Sequence, residues 1–587
     1  MHMEAVGHSI SLSTQLVFPG RLQRAYRREL DRLVSSDALN RLWARDTSLW
    51  PSAQRNHGDL AANLAWLDLP RHMARYMAHV GDLVAETQRA GFQDVVFIAM
   101  GDSNLAMEAV SCVSGQIRWR RVFLLDSTDP AAIRAIDRQL DFGSTLFVFA
   151  NKTGKRIETH SLLLYFLERL KAEGTTDPGR CFIAVTEENS YLASHARAYG
   201  FLKTFLDPPG IKGRYSSLIH FGLLLSALWR FDPEDLASRA LAMRDLCQQP
   251  TEANPALALA AFLAAAVLEG HDKLLFLSTK SLEASTLRVG QLVGTSISKE
   301  GRGLIPVTGA APHSLEAYRE GAASVILTMY GDDDTQVRAA EAQWQRDGVP
   351  FVSVALTTAA ELGAGVFKWE VATALACALL NVNPFDEPDT RVGKEKSAEI
   401  VEGLAVHGEL PARKPRVREK EIELYAEGET RQQISTLSMV EALRTFFELR
   451  QPDGYLAIIS FVGGSSPSVQ AALSRLREQL ANKLEIPVLL SAGPRYLHYF
   501  EQVYKGGPSE GLFLILTGDA TEDVAIPGAG YTFGQLQSAL ALGDFDALQS
   551  RQKLVIRLHL TRGAESKLGD MEQILQQSLS NTRVITR

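Results

Sequence analysis

From about His72 onward the chain alternates short, apolar, β-prone runs with longer stretches whose apolar residues recur at helical spacing. In a first region strands are predicted at Asp94 to Met100, Arg121 to Leu125, Thr145 to Phe149 and Cys181 to Val185. Helices are predicted at His79 to Ala90, Asp129 to Leu140, His160 to Gly174 and Ser190 to Ala198. A second region starts near Asn254, with strands at Lys273 to Leu277, Ser324 to Met329 and Pro350 to Ala355, then a helix from Val366 to Leu380. A third puts strands at Tyr455 to Phe461, Pro487 to Leu490, Leu512 to Leu516 and Leu554 to His559. Strands separated by helices imply parallel sheets covered on both faces, with ligands at the carboxyl ends of the strands. The residues before His72 read as amphipathic helices, at Ala25 to Val34 and Ser36 to Ala44, with Trp43, Trp50 and Trp66 as packing anchors. The prediction is an α/β protein. It has an N-terminal helical arm (1–71), two α/β units (72–250 and 251–405), a charged linker (406–434) and a C-terminal α/β domain (435–587).

Composition narrows the class. With 587 residues, 46% hydrophobic and 22% charged, the chain is an ordinary globular protein too long for one core. A net charge of −7 supplies no basic field, so nucleic acid is not an expected partner. The four cysteines stand far apart in apolar text, which fits a reducing cytoplasm better than a disulfide framework or a zinc site. The longest apolar run, Ala256 to Leu268, is shorter than the roughly 20 residues a bilayer requires, and Met1 to Thr14 lacks a signal-peptide core. A cytoplasmic protein with no membrane partner is expected.

The candidate chemistry is concentrated at Phe147 to Thr159, FVFANKTGKRIET, where an apolar strand enters a polar loop and then a helix. Loop amides at a helix start favour an anion. Lys152, Thr153, Lys155 and Arg156 add cations and a hydroxyl, which suits a phosphate group; a solvated basic loop is the plainer alternative. There is no Walker phosphate loop, no dinucleotide-binding glycine fingerprint, no metal-ligand spacing and no hydrolase elbow, so the expected chemistry requires no cofactor.

Seven strings in register resemble phosphoglucose isomerase, and more closely the isomerase part of bacterial transaldolase/phosphoglucose-isomerase fusion proteins. They are Met100 to Leu105, NKTGKRIE, KGRYS, SKEGRGLIPV, NPFDEP with Lys394, GPRYLH with KGGP, and IPGAGYTFG. The resemblance runs from about Leu42 to the C-terminus; the transaldolase half has no counterpart, and a separately encoded transaldolase is a conceivable partner. It implies two sugar-isomerase (SIS) domains with the site between them, usually in a homodimer. It also implies cofactor-free interconversion of glucose 6-phosphate and fructose 6-phosphate in glycolysis and gluconeogenesis, through ring opening and an enediolate. Carried over by position, Arg214 steadies the enediolate, beside Gly213. Lys394 and His498 assist ring opening. Ser103, Asn151, Lys152, Thr153, Lys155, Arg156 and Glu387 line the phosphate and sugar, and Glu158 keeps the family's glutamate in the phosphate loop.

The departures bear on activity. Thr295 stands where the family has its catalytic glutamate, and a hydroxyl is no base near neutral pH unless another group activates it. Asp102, Glu300 and Glu501 are the candidate replacements, although Asp102 also suits a helix cap. Asn151, Lys155 and Arg156 replace hydroxyls of the phosphate loop, and Glu387 replaces a glutamine. The leading expectation is a glucose-6-phosphate isomerase-like enzyme. A non-catalytic sugar-phosphate-binding or regulatory paralogue and an isomerase for a different, more anionic phosphosugar remain open beside it.

Overall fold

The computed structural model describes residues 13–18, 20–52, 60–114, 121–152, 154, 156–228, 233–251, 253–310, 321–463, 466–508, 510–561 and 563–580. Three sheets form among them. The first joins β2 (Asp94–Ala99), β3 (Arg121–Leu125), β4 (Thr145–Ala150), β5 (Phe182–Thr186) and β6 (Lys203–Leu206), all parallel, in the order β3-β2-β4-β5-β6. The chain steps from β2 to one side and returns to the other at β4. The loops after these two strands therefore part at a switch point, where a doubly wound sheet opens a crevice. Asp94 to Ala99 and Thr145 to Ala150 are buried along their whole length, as expected for strands covered on both faces.

The second sheet has the order β1-β10-β9-β7-β8, from β7 (Lys273–Ser278), β8 (Ile305–Val307), β9 (Ala322–Met329) and β10 (Phe351–Leu356). Its edge strand, β1 (Ser13–Val17), comes from the predicted helical arm and pairs antiparallel with β10, so the arm is not purely helical. Helix Pro255–Leu268 is apolar on every side and buried over nearly its whole length, which fits a core position. Helix Glu361–Leu380 is long and apolar enough to cross a membrane, but it is mostly buried within the fold. It also carries buried Glu361, Lys368 and Glu370, and it is a core helix.

The third sheet corrects the predicted linker. β11 (Val417–Glu419) and β12 (Ile422–Tyr425) lie within 406–434 and extend the C-terminal sheet, with the order β11-β12-β16-β15-β13-β14. The other strands are β13 (Tyr455–Ser460), β14 (Val488–Ala492), β15 (Gly511–Gly518) and β16 (Leu554–Leu560). The charges that suggest a linker are spent in ion pairs: Arg413 forms a two-bonded contact with Asp546 at 2.7 Å, and Arg418 pairs with Glu423.

The arm tryptophans serve the site. Trp50 donates Nε1–H to Ala374 O at 3.0 Å and packs edge-on against Phe385 at 5.6 Å. Trp66 lies 5.0 Å from Tyr215, which in turn lies 5.2 Å from Phe385. These rings clamp the loop of Arg214 to the loop of Asn383 to Glu387. Aromatic pairs of this kind contribute about 0.5–1.5 kcal/mol each beyond their buried area.

Candidate active site

Distant chain segments converge on one cleft of about 980 Å³, among them the loop after β4, the loop after β6, the loop Phe385 to Glu387, the start of helix Arg391–His407, and the turn after β14. Lys152, Arg156, Glu158, Arg214, Glu387, Lys394, His498 and Glu501 all line it, although they are scattered over more than half of the sequence.

The loop after β4 is cross-linked by hydrogen bonds where it is described. Asn151 Nδ2 donates to Thr159 Oγ1 at 2.7 Å, and Gly154 N donates to Asn151 Oδ1 at 3.0 Å. Asn151 therefore shapes the loop from within. Lys152 Nζ donates to Ile211 O at 2.5 Å, tying this loop to the one after β6. Arg156 donates to Met100 O, at the end of β2. Thr153 and Lys155 lie outside the described residues. Asp102 and Ser103 open helix Asp102–Ser114, but their side chains are likewise outside the description.

Arg214 is buried and held from four directions. Its Nε donates to Ser296 Oγ at 3.1 Å; its Nη2 donates to Pro384 O at 2.8 Å and to Asp386 O at 3.2 Å; its Nη1 meets Glu387 Oε1 at 2.5 Å. Behind it, Arg288 donates to the Arg214 carbonyl at 2.5 Å and to Ser217 Oγ at 2.8 Å. Lys299, fully buried, donates to the Ser296 and Asn383 carbonyls and pairs with Asp386 at 3.0 Å. Arg288 thus holds the Arg214 backbone, and Lys299 holds the segments that carry the guanidinium's partners. Burial pushes the Glu387 carboxyl up, but the charges of Arg214 and Lys394 outweigh this and hold it below the usual range. Lys394 is mostly exposed; its Nζ donates to Thr390 Oγ1 at 3.0 Å and lies 3.8 Å from Glu387 Oε2.

His498 enters from the third unit. Its Nε2 lies 2.8 Å from Glu158 Oε1. Burial and then the Arg156 charge lower its pKa, so a neutral ring that donates Nε2–H to the Glu158 carboxylate accounts for the pair. Gly101, with φ +79°, makes room: a Cβ there would lie 2.6 Å from His498 Cβ. The turn is anchored by Arg495, whose Nη1 and Nη2 meet Glu108 Oε1 and Oε2 at 2.6 and 2.5 Å, and whose Nε lies 3.2 Å from Asp126.

The three carboxylates proposed to replace the missing glutamate separate. Glu300 is mostly exposed, in a turn at φ +56°, and pairs with Arg302 at 3.9 Å; it does not line the cleft. Asp102 has no described side chain. Glu501 lines the cleft and is buried, and burial pushes its pKa up to about 7. Thr295 is also off the cleft lining: its hydroxyl donates to Tyr499 O at 2.6 Å. Gly213 lines the cleft at the start of the Arg214 turn.

Residues without a role in the sequence reading complete the frame: Arg288, Lys299, Glu108, Asp126, Arg495, Lys505 and Asp544. Arg495 and Lys505 lie within the GPRYLH and KGGP strings, but their partners are hundreds of positions away or on another helix.

No family model matches the chain. A protein of Haloquadratum walsbyi named probable glucose-6-phosphate isomerase is 26% identical over 399 residues, covering 62% of this chain and 90% of that one. Among solved structures, a hypothetical protein of Thermus thermophilus matches with TM-score 0.56 and 22% identity, over 66% of this chain and 99% of that one. A glucose-6-phosphate isomerase of Chlamydia trachomatis matches with TM-score 0.51 and 19% identity, over 64% and 78%. The two structural likenesses bear on the fold.

Proposed function

The chain belongs to the phosphoglucose isomerase family, and on that premise we propose that it is a sugar-phosphate isomerase, nominally interconverting glucose 6-phosphate and fructose 6-phosphate. The observation that carries this reading is the convergence of Arg214, Lys394, the His498–Glu158 pair, Lys152 and Arg156 on one cleft.

In this reading the loop after β4 takes the phosphate, remote from the reacting carbons, and its binding orients the sugar. A neutral His498 whose Nε2–H is engaged by Glu158 leaves Nδ1 to take up and return a proton in ring opening, with Lys394 lining the same cleft. Arg214, fixed by backbone carbonyls rather than by a mobile partner alone, supplies positive charge where the enediolate oxygen forms. Preorganised charge of this kind stabilises the transition state without reorganisation at the moment of reaction. The same reading carries a cytoplasmic location, a homodimer and, if one is encoded, a separate transaldolase partner.

A coupled assay with glucose 6-phosphate and fructose 6-phosphate on wild type and Arg214→Lys tests it. Turnover in wild type and a loss of about 10²-fold or more in Arg214→Lys, with the Kd for glucose 6-phosphate within threefold, is the expected result. A wild type that binds glucose 6-phosphate and does not turn it over would favour the non-catalytic binding protein.

A further inference from the structure

Resting on the isomerase reading, we propose that Glu501 is the group that carries the proton between C2 and C1, and that Lys505 and Asp544 are positioning residues that hold it for this task. Glu501 opens helix Glu501–Gly506, next to the His498 turn, and lines the cleft. One of its oxygens, Oε1, accepts from Lys505 Nζ; among the described residues no donor meets Oε2. Lys505 Nζ lies 2.8 Å from Asp544 Oδ1, and Asp544 Oδ2 accepts from the Tyr496 hydroxyl. Lys505, Asp544 and Tyr496 are fully buried.

A buried, charged chain of this kind is costly in a core unless every member is compensated, and replacing it with apolar side chains often stabilises a protein. Its place under the cleft is what gives it a use. The Lys505 ammonium is shared between two carboxylates, so it orients Glu501 without neutralising it fully. Glycine at 393 permits this arrangement: a Cβ there would stand 2.2 Å from Glu501 Oε1 and 2.6 Å from Lys505 Nζ. The charges facing Glu501 are Lys505 on its own helix, Asp544 on helix Phe533–Ser550, and Lys394 on helix Arg391–His407, with the neutral Tyr496 beyond Asp544. Burial first, and then Asp544, raise the Glu501 pKa; Lys505 lowers it; the balance stands at about 7, the range a general base needs.

The step balances without a cofactor. The Glu501 carboxylate takes the C2 proton of the open-chain aldose. The C–H electron pair becomes the C1=C2 bond, and the carbonyl pair passes to O1. Return of the proton to C1, with O2 losing its proton as it becomes the ketone and O1 gaining one, gives the ketose.

The test is turnover and the pH profile of kcat/KM in the full chain. Glu501→Gln is expected to lose about 10²- to 10⁴-fold in kcat while its Kd for glucose 6-phosphate stays within threefold. Glu501→Asp is expected to recover part of the loss. The acidic limb is expected near pH 7 in wild type, lower in Asp544→Asn and higher in Lys505→Met. A merely structural network would change stability or kcat without moving the limb in opposite directions. An active wild type with Glu501→Gln within threefold of it, or a limb unmoved by both outer variants, would overturn this assignment alone. A wild type silent on sugar phosphates would overturn the isomerase reading and this assignment with it.

Discussion

His498 of the C-terminal unit and Glu158 of the first unit share a hydrogen bond of 2.8 Å across 340 positions of sequence. The cleft is therefore not made by the first two sheets alone. The third sheet, through the turn after β14, delivers His498 to the start of helix Ile157–Ala172 and Glu501 to the start of helix Arg391–His407. The cleft depends on how firmly that turn is docked.

Docking rests on Arg495. The Arg495–Glu108 contact is two-bonded and partly shielded, with side-chain exposures of 16% and 28%. Arg495→Leu is expected to cost about 1–3 kcal/mol, between the values for an exposed pair and a broken buried one, and to lower kcat at least tenfold by releasing His498. Urea unfolding and steady-state kinetics check this; an unchanged kcat would mean that the turn is held by packing alone.

The His498 ring makes a signed prediction for pH. Its folded pKa is lowered, so between that value and the ordinary histidine value of about 6.5 the unfolded chain binds more protons than the folded one. Stability from this group is full above the unfolded value and declines as pH falls through that window. His498→Asn is expected to flatten this part of the stability profile, measured as unfolding midpoints at pH 5 and pH 8. Glu158→Gln is expected to steepen it, since Glu158 holds the pKa up. Identical slopes in all three proteins would contradict the pair.

Gly101 gives a prediction about space and backbone together. Alanine at φ +79° is strained, and its Cβ would meet His498 Cβ at 2.6 Å and the His498 carbonyl oxygen at 3.0 Å. Gly101→Ala is expected to lower stability by about 1–3 kcal/mol and to raise protease sensitivity around Gly493 to Glu501. A Tm within a degree of wild type would show that the turn does not approach β2 so closely.

Thr295 tests the departure most visible in the sequence. Its hydroxyl is used up on the Tyr499 carbonyl. Thr295→Val is expected to cost about 1 kcal/mol in stability and to leave kcat within threefold. A collapse of kcat with normal folding would place Thr295 in the chemistry after all.

Much of this was legible in the chain, for reasons that differ by residue. The strand Arg121 to Leu125 has the same bounds as β3, because its apolar run Val122 to Leu125 is set off by arginines before it and Asp126 after it, even though this edge strand is mostly half-buried. β8, with three residues, and β1, whose partner β10 lies more than 300 positions away, carry no local signal strong enough to name them. β12 was hidden by its charges: Glu423 sits in the strand because Arg418 and the Tyr425 hydroxyl answer it. The loops of Lys152, Arg214 and Lys394 could be picked out as strings of residue types. Their frame could not, since Arg495 meets Glu108, and Lys505 meets Asp544, only once separate helices are packed.

The measurement that bears most directly on the account is proton exchange. Glucose 6-phosphate is incubated with the protein in D2O and followed by NMR at C2 of the aldose and C1 of the ketose. Isomerisation by a cleft base predicts fructose 6-phosphate with deuterium at C1, and deuterium entering C2 of recovered glucose 6-phosphate, both lost in Arg214→Lys. Bound glucose 6-phosphate with no isomerisation and no deuterium at either carbon would contradict the account.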